Sequence, residues 1–220
     1  MSAAISPNPA AGGFLVAEMS QPRLAVGGLV PFTTIDFPGR LAAVIFCQGC
    51  PWRCTYCHNA HLLPAGVGMQ SWPEVLAWLK TRRDLLDGVV FSGGEPLLQR
   101  GLTTALAEVR ALGFDTGLHT AGIYPERLAA ALPLLDWVGF DVKAPFSEYA
   151  SVVGCEGGNS ARTALETLLA SGVAFDIRCT VAPGFDAAAL TRLRKDLTRI
   201  GVSNLTLQEC RPSGGIDHLH

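Results

Sequence analysis

The sequence carries little charge for its length, and neither sign dominates. Among its 220 residues, 17 are Lys or Arg and 19 are Asp or Glu, which leaves a formal net charge of −2. Proteins that bind nucleic acids non-specifically, or that lie on anionic membranes, usually carry a clear excess of basic residues. The balance argues against both classes, and no nucleic-acid partner is predicted.

Long apolar runs and an export signal are also missing. No run approaches the roughly 20 apolar residues that a membrane-spanning helix needs, and no membrane association is expected. No Lys or Arg precedes Arg23, so the charged start of a secretory signal is absent. Seven cysteines are scattered along the chain. Scattered thiols without such a signal are typical of a reducing compartment, and we therefore expect a cytoplasmic protein.

What the sequence does have is a tight group of cysteines. Cys50, Cys54 and Cys57 have the spacing C-x3-C-x2-C and follow the apolar run 41–46, which is typical of a buried strand. Three thiolates on one loop can converge on a metal centre. They fall one short of the four ligands that an iron–sulfur cube or a tetrahedral zinc ion requires. An open coordination position is a place where chemistry can occur.

Spacing alone leaves two other uses of these cysteines open. A structural zinc site could take His58 or Cys47 as its fourth ligand, although such sites usually pair two CxxC units and no second pair follows. A disulfide is less favoured, because cysteines this close are poorly placed to bridge within one loop. The spacing favours an iron–sulfur centre. The other cysteines are expected to be small, buried core residues: Cys155, Cys179 and Cys210.

Strand and helix patterns alternate along most of the chain. Apolar runs predict six strands, separated by segments with apolar residues at helical spacing; the strands are expected at 41–46, 88–91, 114–119, 136–142, 173–181 and 204–208. This alternation indicates an α/β protein whose parallel strands are joined by right-handed crossovers. Six units are fewer than the eight of a closed barrel, which leaves an incomplete barrel or an open doubly wound sheet.

One domain accounts for the length of the chain. Residues 1–24 are rich in Ala, Gly, Ser and Pro and poor in large apolar residues, so they are predicted to form a disordered extension. Residues 25–220 then form the single folded domain. Its first part, residues 25–40, is expected to hold a short strand and a turn before the first parallel strand.

In either architecture the working face lies at the carboxyl ends of the parallel strands. The cysteine loop and Gly93-Gly94-Glu95 follow the first two strands, and Asp141 and Lys143 lie at the end of the fourth. The glycines allow close approach to a ligand, and the glutamate offers a carboxylate to an ammonium group. Asp141 and Lys143 flank Val142, so they share one face. Further polar residues are expected at the same edge: Tyr56, His119, Arg178 and Gln208.

Taken together, the motifs resemble a known superfamily. The cysteine spacing, with Tyr56 just before the last cysteine, resembles the signature of the radical S-adenosylmethionine (SAM) enzymes, and Ser92-Gly93-Gly94-Glu95-Pro96 is similar to their second motif. Within that superfamily the chain resembles the activating enzymes of glycyl radical proteins, in particular the activating proteins of anaerobic ribonucleoside-triphosphate reductase. This narrower resemblance rests on Asp36-Phe37-Pro38-Gly39, Cys57-His58-Asn59 and Asp141-Val142-Lys143-Ala144-Pro145. The similarity covers residues 25–212.

The resemblance implies a partial (β/α)6 barrel with a parallel six-stranded sheet, a [4Fe–4S] cluster and bound SAM. Cys50, Cys54 and Cys57 would each ligate one iron, and the amino and carboxylate groups of SAM would chelate the fourth. The motifs imply the remaining contacts with SAM: Gly93, Gly94 and Glu95 at the methionine ammonium, Tyr56, Cys57 and His58 at the adenosine, and Asp141, Val142 and Lys143 at the ribose or carboxylate.

The resemblance also implies a reaction and its partners. One electron, from a donor of the flavodoxin or ferredoxin type, would cleave SAM to methionine and a 5′-deoxyadenosyl radical. That radical would take hydrogen from a glycine of a partner glycyl radical enzyme, so that the cofactor supplies the difficult chemistry and the protein positions it.

The chain departs from the family pattern in places, and two other functions stay open. His119-Thr120-Ala121-Gly122 stands where relatives often have a polar Asp or Asn pair, so the role of His119 is open, as is that of Arg178. Cys47 could be an alternative ligand, although its place at a strand end favours packing. The enzyme could act on a small molecule, such as the precursor of a modified base. Alternatively, the metal could stabilise a binding module without catalysis.

Overall fold

The structure, a computed structural model, describes residues 23–182 and 184–210. Of the predicted extension, residues 1–22 lie outside the described residues. Leu24 is only 3% exposed and packs in the main core. The packed part of the chain therefore includes residue 24, one residue earlier than the predicted start of the domain.

The centre of the fold is one seven-stranded sheet whose strands follow chain order. The strands are β1 (Val26–Thr33), β2 (Ala42–Cys47), β3 (Gly88–Gly93), β4 (Asp115–Thr120), β5 (Trp137–Asp141), β6 (Ala174–Val181) and β7 (Thr206–Glu209). Strands β2 to β7 pair in parallel. This confirms the predicted α/β fold and is consistent with a partial barrel. The short strand expected before them, β1, pairs antiparallel with β2, so the sheet has seven strands instead of six.

Helices follow the parallel strands, as the alternating pattern predicts. They are α1 (Trp72–Lys80), α2 (Leu102–Ala111), α3 (Pro125–Ala131), α4 (Tyr149–Val153), α5 (Gly158–Ser171) and α6 (Ala187–Arg199). None of the helices in the described part of the chain is long and apolar enough to cross a membrane.

Helix boundaries also follow from local sequence. At the start of α1, the Ser71 hydroxyl accepts from the backbone N–H of Glu74, the Glu74 carboxylate accepts from that of Ser71, and Pro73 lies in the first turn. This capping box pairs donors that the first turn of a helix leaves free. Helix α5 ends at Gly172, whose φ of 77° lies in the left-handed region that glycine adopts without strain.

The sheet is covered by apolar side chains on both faces. Its outer face packs against the helices in the main core, which includes the fully buried side chains of Phe91, Leu118 and Phe140. Its inner face carries a second cluster near the amino ends of the strands, formed by Phe37, Ala42, Val44, Val90 and Trp137. The ring of Phe37, from the turn after β1, stacks on Trp137 with centroids 5.7 Å apart. The turn thus fills one end of the open barrel and leaves the carboxyl end of the sheet accessible.

The inner cluster gives a prediction about stability. Phe37→Ala removes a ring that is 4% exposed and should lower the free energy of unfolding by about 3–5 kcal/mol, since a cavity replaces it. Ile35 lies two residues earlier in the same turn and is 82% exposed. The control Ile35→Ala should therefore change the free energy of unfolding by no more than about 0.5 kcal/mol. Anaerobic urea unfolding measures both, and equal losses in the two variants would contradict the role given to Phe37.

Candidate active site

A cleft of about 790 Å³, including the space at its mouth, lies at the carboxyl ends of the parallel strands. It contains the loop after β2, the loop after β3 and the ends of β4 and β5, as the topology requires. Its lining holds most of the predicted site: Cys50, Cys54, Tyr56, Cys57, His58, Gly93, Gly94, Glu95, His119, Asp141 and Lys143. The sequence predicts no role for the seven other lining residues: Trp52, Asn59, Leu63, Ser92, Thr120, Ala121 and Ile123.

Backbone hydrogen bonds hold the cysteine loop at both ends. On one side Gly49 N donates to Leu62 O at 2.7 Å and Cys50 N donates to Leu63 O at 3.1 Å. On the other side Arg53 N donates to the carbonyl of Val153, at the end of α4, at 2.9 Å. The loop is therefore tied to two separate parts of the chain. These hydrogen bonds keep the three thiols in place, although the cysteines lie in neither a helix nor a strand.

The three thiols are half-buried and lie on the wall of the cleft. Burial raises the pKa of Cys50 to about 12, against a lowering by a hydrogen bond from the Trp52 backbone and a further raising by Glu95. Burial is also the main cause of the raised pKa of Cys54, which Lys143 partly offsets. Without a metal the protein thus favours protonated thiols at these two positions, and metal binding must displace the protons.

No three Cys, His, Asp or Glu side chains in the described ranges converge as they would around a single ion. A tetrahedral zinc ion requires such convergence, whereas the cysteines of an iron–sulfur cluster bind different irons.

The glycines after β3 allow two chain segments to touch. Gly93 has a φ of 116°, and a Cβ there would collide with the backbone of Cys47. A Cβ on Gly94 would collide with the carbonyl of Gly49, in the cysteine loop. Hydrogen bonds accompany this close approach, from Gly94 N to Cys47 O at 2.9 Å and from Glu95 N to Gly49 O at 3.0 Å. Both glycines line the cleft, but the close approach that the structure shows is to the cysteine loop.

Glu95 is almost completely buried, and its carboxylate joins its own loop to the end of β4. Oε1 accepts from Leu97 N at 3.0 Å and from the Thr120 hydroxyl at 2.7 Å, and Oε2 accepts from Ala121 N at 3.1 Å. Burial raises its pKa, although these three hydrogen bonds oppose the shift. A carboxylate has about four acceptor positions, so one remains for a ligand. The sequence predicted the place of Glu95 at the edge of the sheet but not its link to β4.

Asp141 is the centre of a charged group at the end of β5. Its Oδ1 accepts from Arg178 Nε at 3.0 Å, and its Oδ2 lies 3.5 Å from Lys143 Nζ. Burial raises the pKa of Asp141, but Lys143 and Arg178 outweigh it, so the net shift is downward. Burial lowers the pKa of Lys143, but Asp141 and then Tyr56 outweigh it, so the net shift is upward. Both residues are therefore charged at neutral pH.

Three predicted residues do not line the cleft: Val142, Arg178 and Gln208. Val142 is fully buried in the main core and faces away from the cleft, because successive residues of an extended segment point to opposite sides. Its side chain is therefore not placed to contact a ligand there. Gln208 lies instead on a neighbouring groove with His58, Thr180 and Glu209.

Among the described residues, the Tyr56 hydroxyl is the one buried side-chain N or O atom without a hydrogen-bond partner. Tyr56 is 8% exposed and lines the cleft. The Lys143 ammonium lies 5.8 Å from the centre of its ring. Buried polar atoms are normally paired, so this hydroxyl is suited to a ligand or to ordered water. Together with the three thiols on the same wall, it fits the cofactors that the resemblance implies.

The cysteines outside the loop differ from one another. Cys47 is completely buried in the main core and does not line the cleft, which supports the packing role favoured for it. Cys179 is buried, as predicted, but Cys155 is exposed and Cys210 is half-buried. The prediction of buried core residues is therefore wrong for Cys155, which follows the end of α4, and holds only in part for Cys210.

The chain belongs to the radical SAM superfamily, because the model of that family matches residues 44–197, more than half of the sequence. Membership confirms the resemblance drawn from the motifs and implies an iron–sulfur cluster and SAM. The part of the chain that matches includes the cysteine loop, the glycine-rich loop after β3 and the charged group at the end of β5.

Several named relatives are similar over part of their length. A protein of Methanocaldococcus jannaschii, named as a candidate glycyl-radical enzyme activating enzyme, is 35% identical over 59% of this chain and 55% of its own. The pyruvate formate-lyase-activating enzyme of Clostridium pasteurianum is 36% identical over 50% of this chain and 48% of its own. The 7-carboxy-7-deazaguanine synthase of Pyrobaculum aerophilum is 32% identical over 50% and 53%. The chain spans about half the length of these curated relatives.

A solved structure shares the fold. The structure described as native anSMEcpe with bound AdoMet superposes with a TM-score of 0.62 at 21% identity, over 74% of this chain and 49% of the other. The similarity supports the partial barrel.

Replacing one carboxylate oxygen of Glu95 with an amide nitrogen tests the link that Glu95 makes between its loop and the end of β4. Glu95→Gln leaves one acceptor oxygen where two are used, so it should lower the free energy of unfolding by about 1–3 kcal/mol, the typical cost of an unpaired buried group. Glu126→Gln, an exposed position on α3, is the matched control and should leave it unchanged. Anaerobic urea unfolding provides the comparison. A fully stable Glu95→Gln would show that the three hydrogen bonds are not needed for folding.

Proposed function

We propose that the protein is a radical SAM activase that cleaves SAM reductively at a [4Fe–4S] cluster and generates a glycyl radical on a partner enzyme such as anaerobic ribonucleotide reductase. The observation that carries the proposal is the single cleft that brings together three half-buried thiols, the glycine-rich loop and the Asp141–Lys143 pair. The activating-enzyme names of two relatives support the same class of reaction.

In this proposal the residues of the cleft divide between two cofactors. Cys50, Cys54 and Cys57 hold the cluster. When bound, the cluster and SAM supply a 5′-deoxyadenosyl radical for hydrogen abstraction. The remaining lining residues hold SAM: Gly93, Gly94 and Glu95 near its ammonium, Tyr56, Cys57 and His58 along its adenosine, and Asp141 and Lys143 at its ribose or carboxylate.

Charge and burial suit these roles. SAM carries both an ammonium and a carboxylate, and the cleft offers the Glu95 carboxylate on one wall and the Lys143 ammonium on another. Lys143 has 15% of its side chain exposed, and charge-assisted hydrogen bonds are strong in such partly desolvated places. The chain itself thus binds and orients the ligand, and its apolar neighbours Trp52, Leu63 and Ile123 keep water from part of the cleft.

The shape of the sheet favours a macromolecular substrate. Its outermost strands are β1 and β7, which are not paired with each other, and all residues of β7 are exposed. Among the described residues, one side of the barrel is therefore uncovered, as an extended loop of a partner protein requires. A donor of the flavodoxin or ferredoxin type would supply the electron. The expected cytoplasmic location is consistent with this proposal.

The similarity to a 7-carboxy-7-deazaguanine synthase favours a second candidate function. In that case the protein would be a radical SAM enzyme that acts on a small molecule, such as the precursor of a modified base. The cleft and its cofactors would be the same, and only the source of the hydrogen atom would differ.

The ligand assignment predicts a clear division among four cysteines. Cys50→Ala, Cys54→Ala and Cys57→Ala should each abolish SAM cleavage and reduce iron content, because each removes one proposed ligand. Cys47→Ala is the matched control and should keep most of both, because Cys47 packs in the main core, off the cleft. Iron content and 5′-deoxyadenosine yield after anaerobic reconstitution measure the effect. An inactive Cys47→Ala beside an active Cys50→Ala would refute the assignment.

The choice between the two functions can be made by following deuterium. A peptide that copies a glycyl radical loop should raise 5′-deoxyadenosine formation, and deuterium at its glycine should appear in the product. The same peptide with alanine in place of glycine is the control and should transfer none. Transfer from a small metabolite, with none from the peptide or an intact glycyl radical enzyme, would replace the activase proposal with the second candidate.

A further inference from the structure

Arg178 is the closest cationic partner of Asp141. The two residues are register partners on β6 and β5, and Arg178 Nε donates to Asp141 Oδ1 at 3.0 Å. Lys143 approaches the other oxygen at 3.5 Å, the outer limit of a hydrogen bond. The Arg178 side chain is 16% exposed. The better hydrogen bond of the Asp141 carboxylate thus comes from a residue that does not line the cleft.

A glycine on β5, which has no side chain, makes room for this arginine. Gly139 lies between Trp137 and Asp141 on the same face of the strand. A Cβ at this position would stand 2.9 Å from Arg178 Nη2, 3.0 Å from Arg178 Cζ and 2.7 Å from Trp137 Cη2. All three distances are too short for ordinary contacts. Glycine at this position therefore lets the guanidinium lie across β5, directly below Asp141.

His119 on β4 is the register partner of Gly139, over which the guanidinium lies, and the hydrogen bonds of its ring define its tautomer. His119 Nε2 lies 2.9 Å from the backbone oxygen of Asp36. A carbonyl oxygen only accepts, so Nε2 carries a proton. The other ring nitrogen, Nδ1, is 3.4 Å from the Ser92 hydroxyl, which can donate to it when the ring is neutral. Burial and then Arg178 lower the pKa of His119, against opposing effects of Asp141 and Asp36.

We propose that Arg178 is a positioning residue that acts through Asp141: seated over Gly139, it fixes the carboxylate in the orientation that receives SAM. The inference rests on the proposed function in one respect, the contact between Asp141 and SAM. It goes beyond that function by assigning a role to two residues outside the cleft lining, Arg178 and Gly139.

The proposal explains how one carboxylate can be partly buried, charged and oriented at once. A buried anion with only one distant cation would be poorly held and costly to desolvate. Arg178 supplies the nearer charge without occupying space on the cleft wall.

A double-mutant cycle tests whether Arg178 acts through Asp141. In anaerobically reconstituted protein, Arg178→Met should weaken SAM binding about tenfold, the lower range expected when a charge-assisted hydrogen bond is lost. In the Asp141→Ala background the same change should have less than about a twofold effect, because the residue that it positions is already gone. Arg192→Met is the matched control, since Arg192 pairs with Glu148 on the exposed surface, and it should leave the Kd unchanged. Equal effects of Arg178→Met in both backgrounds would overturn the proposal.

A second measurement, the pKa of His119, does not itself require SAM. Imidazole NMR of the reconstituted protein should show His119 as the neutral ring protonated at Nε2, with a pKa below that of an ordinary histidine. Arg178→Met should raise this pKa, because a neighbouring positive charge is lost. Arg178→Lys should keep it low yet still weaken SAM binding, because lysine preserves the charge but not the position of Nε.

The two measurements separate the possible failures. If the unchanged protein binds no SAM, the proposed function fails, and the NMR result alone decides the role of Arg178. If SAM binds but Arg178→Met alters neither the Kd nor the pKa of His119, the proposed function stands and the inference about Arg178 is wrong.

Discussion

The site depends on the close contact between the backbones of two loops. The loop after β3 touches the cysteine loop at Gly94, where any side chain would collide with Gly49. Because the loops meet through their backbones, the three thiols and the glycine-rich loop face the same cleft. The Glu95 carboxylate then extends the connection to the end of β4 through Thr120 and Ala121. A substitution that separated the two loops would affect the thiols, the buried glutamate and the ligand cleft at the same time.

The sequence predicted the architecture well because its signals are local and repeated. Six apolar runs alternate with amphipathic segments, and all six occur as parallel strands. The capping box at Ser71 likewise involves neighbouring residues only. The polar residues at the carboxyl ends of the strands could be placed because parallel strands end at one edge. Most of the candidate site can therefore be predicted from the sequence alone.

What the sequence could not predict depends on contacts between distant segments. The short strand expected within residues 25–40 pairs antiparallel with β2 and becomes the seventh strand of the sheet, and periodicity alone could not predict this pairing. The burial of Glu95 follows from three donors in two different segments. Val142 was included with its neighbours in a motif, although alternation turns its side chain into the core. Similarly, Gly139 has no local signal, since its role depends on an arginine from the next strand.

The proposed function requires that the cysteine loop hold a [4Fe–4S] cluster with one iron open to SAM. The most direct test is the EPR spectrum of the anaerobically reconstituted, dithionite-reduced protein, recorded with and without SAM. We expect the signal of a reduced [4Fe–4S] cluster, and the shape of this signal should change when SAM is added, because SAM would bind one of the irons. A protein that contains zinc and gives no signal, or a cluster signal that SAM leaves unchanged, would contradict the proposed function.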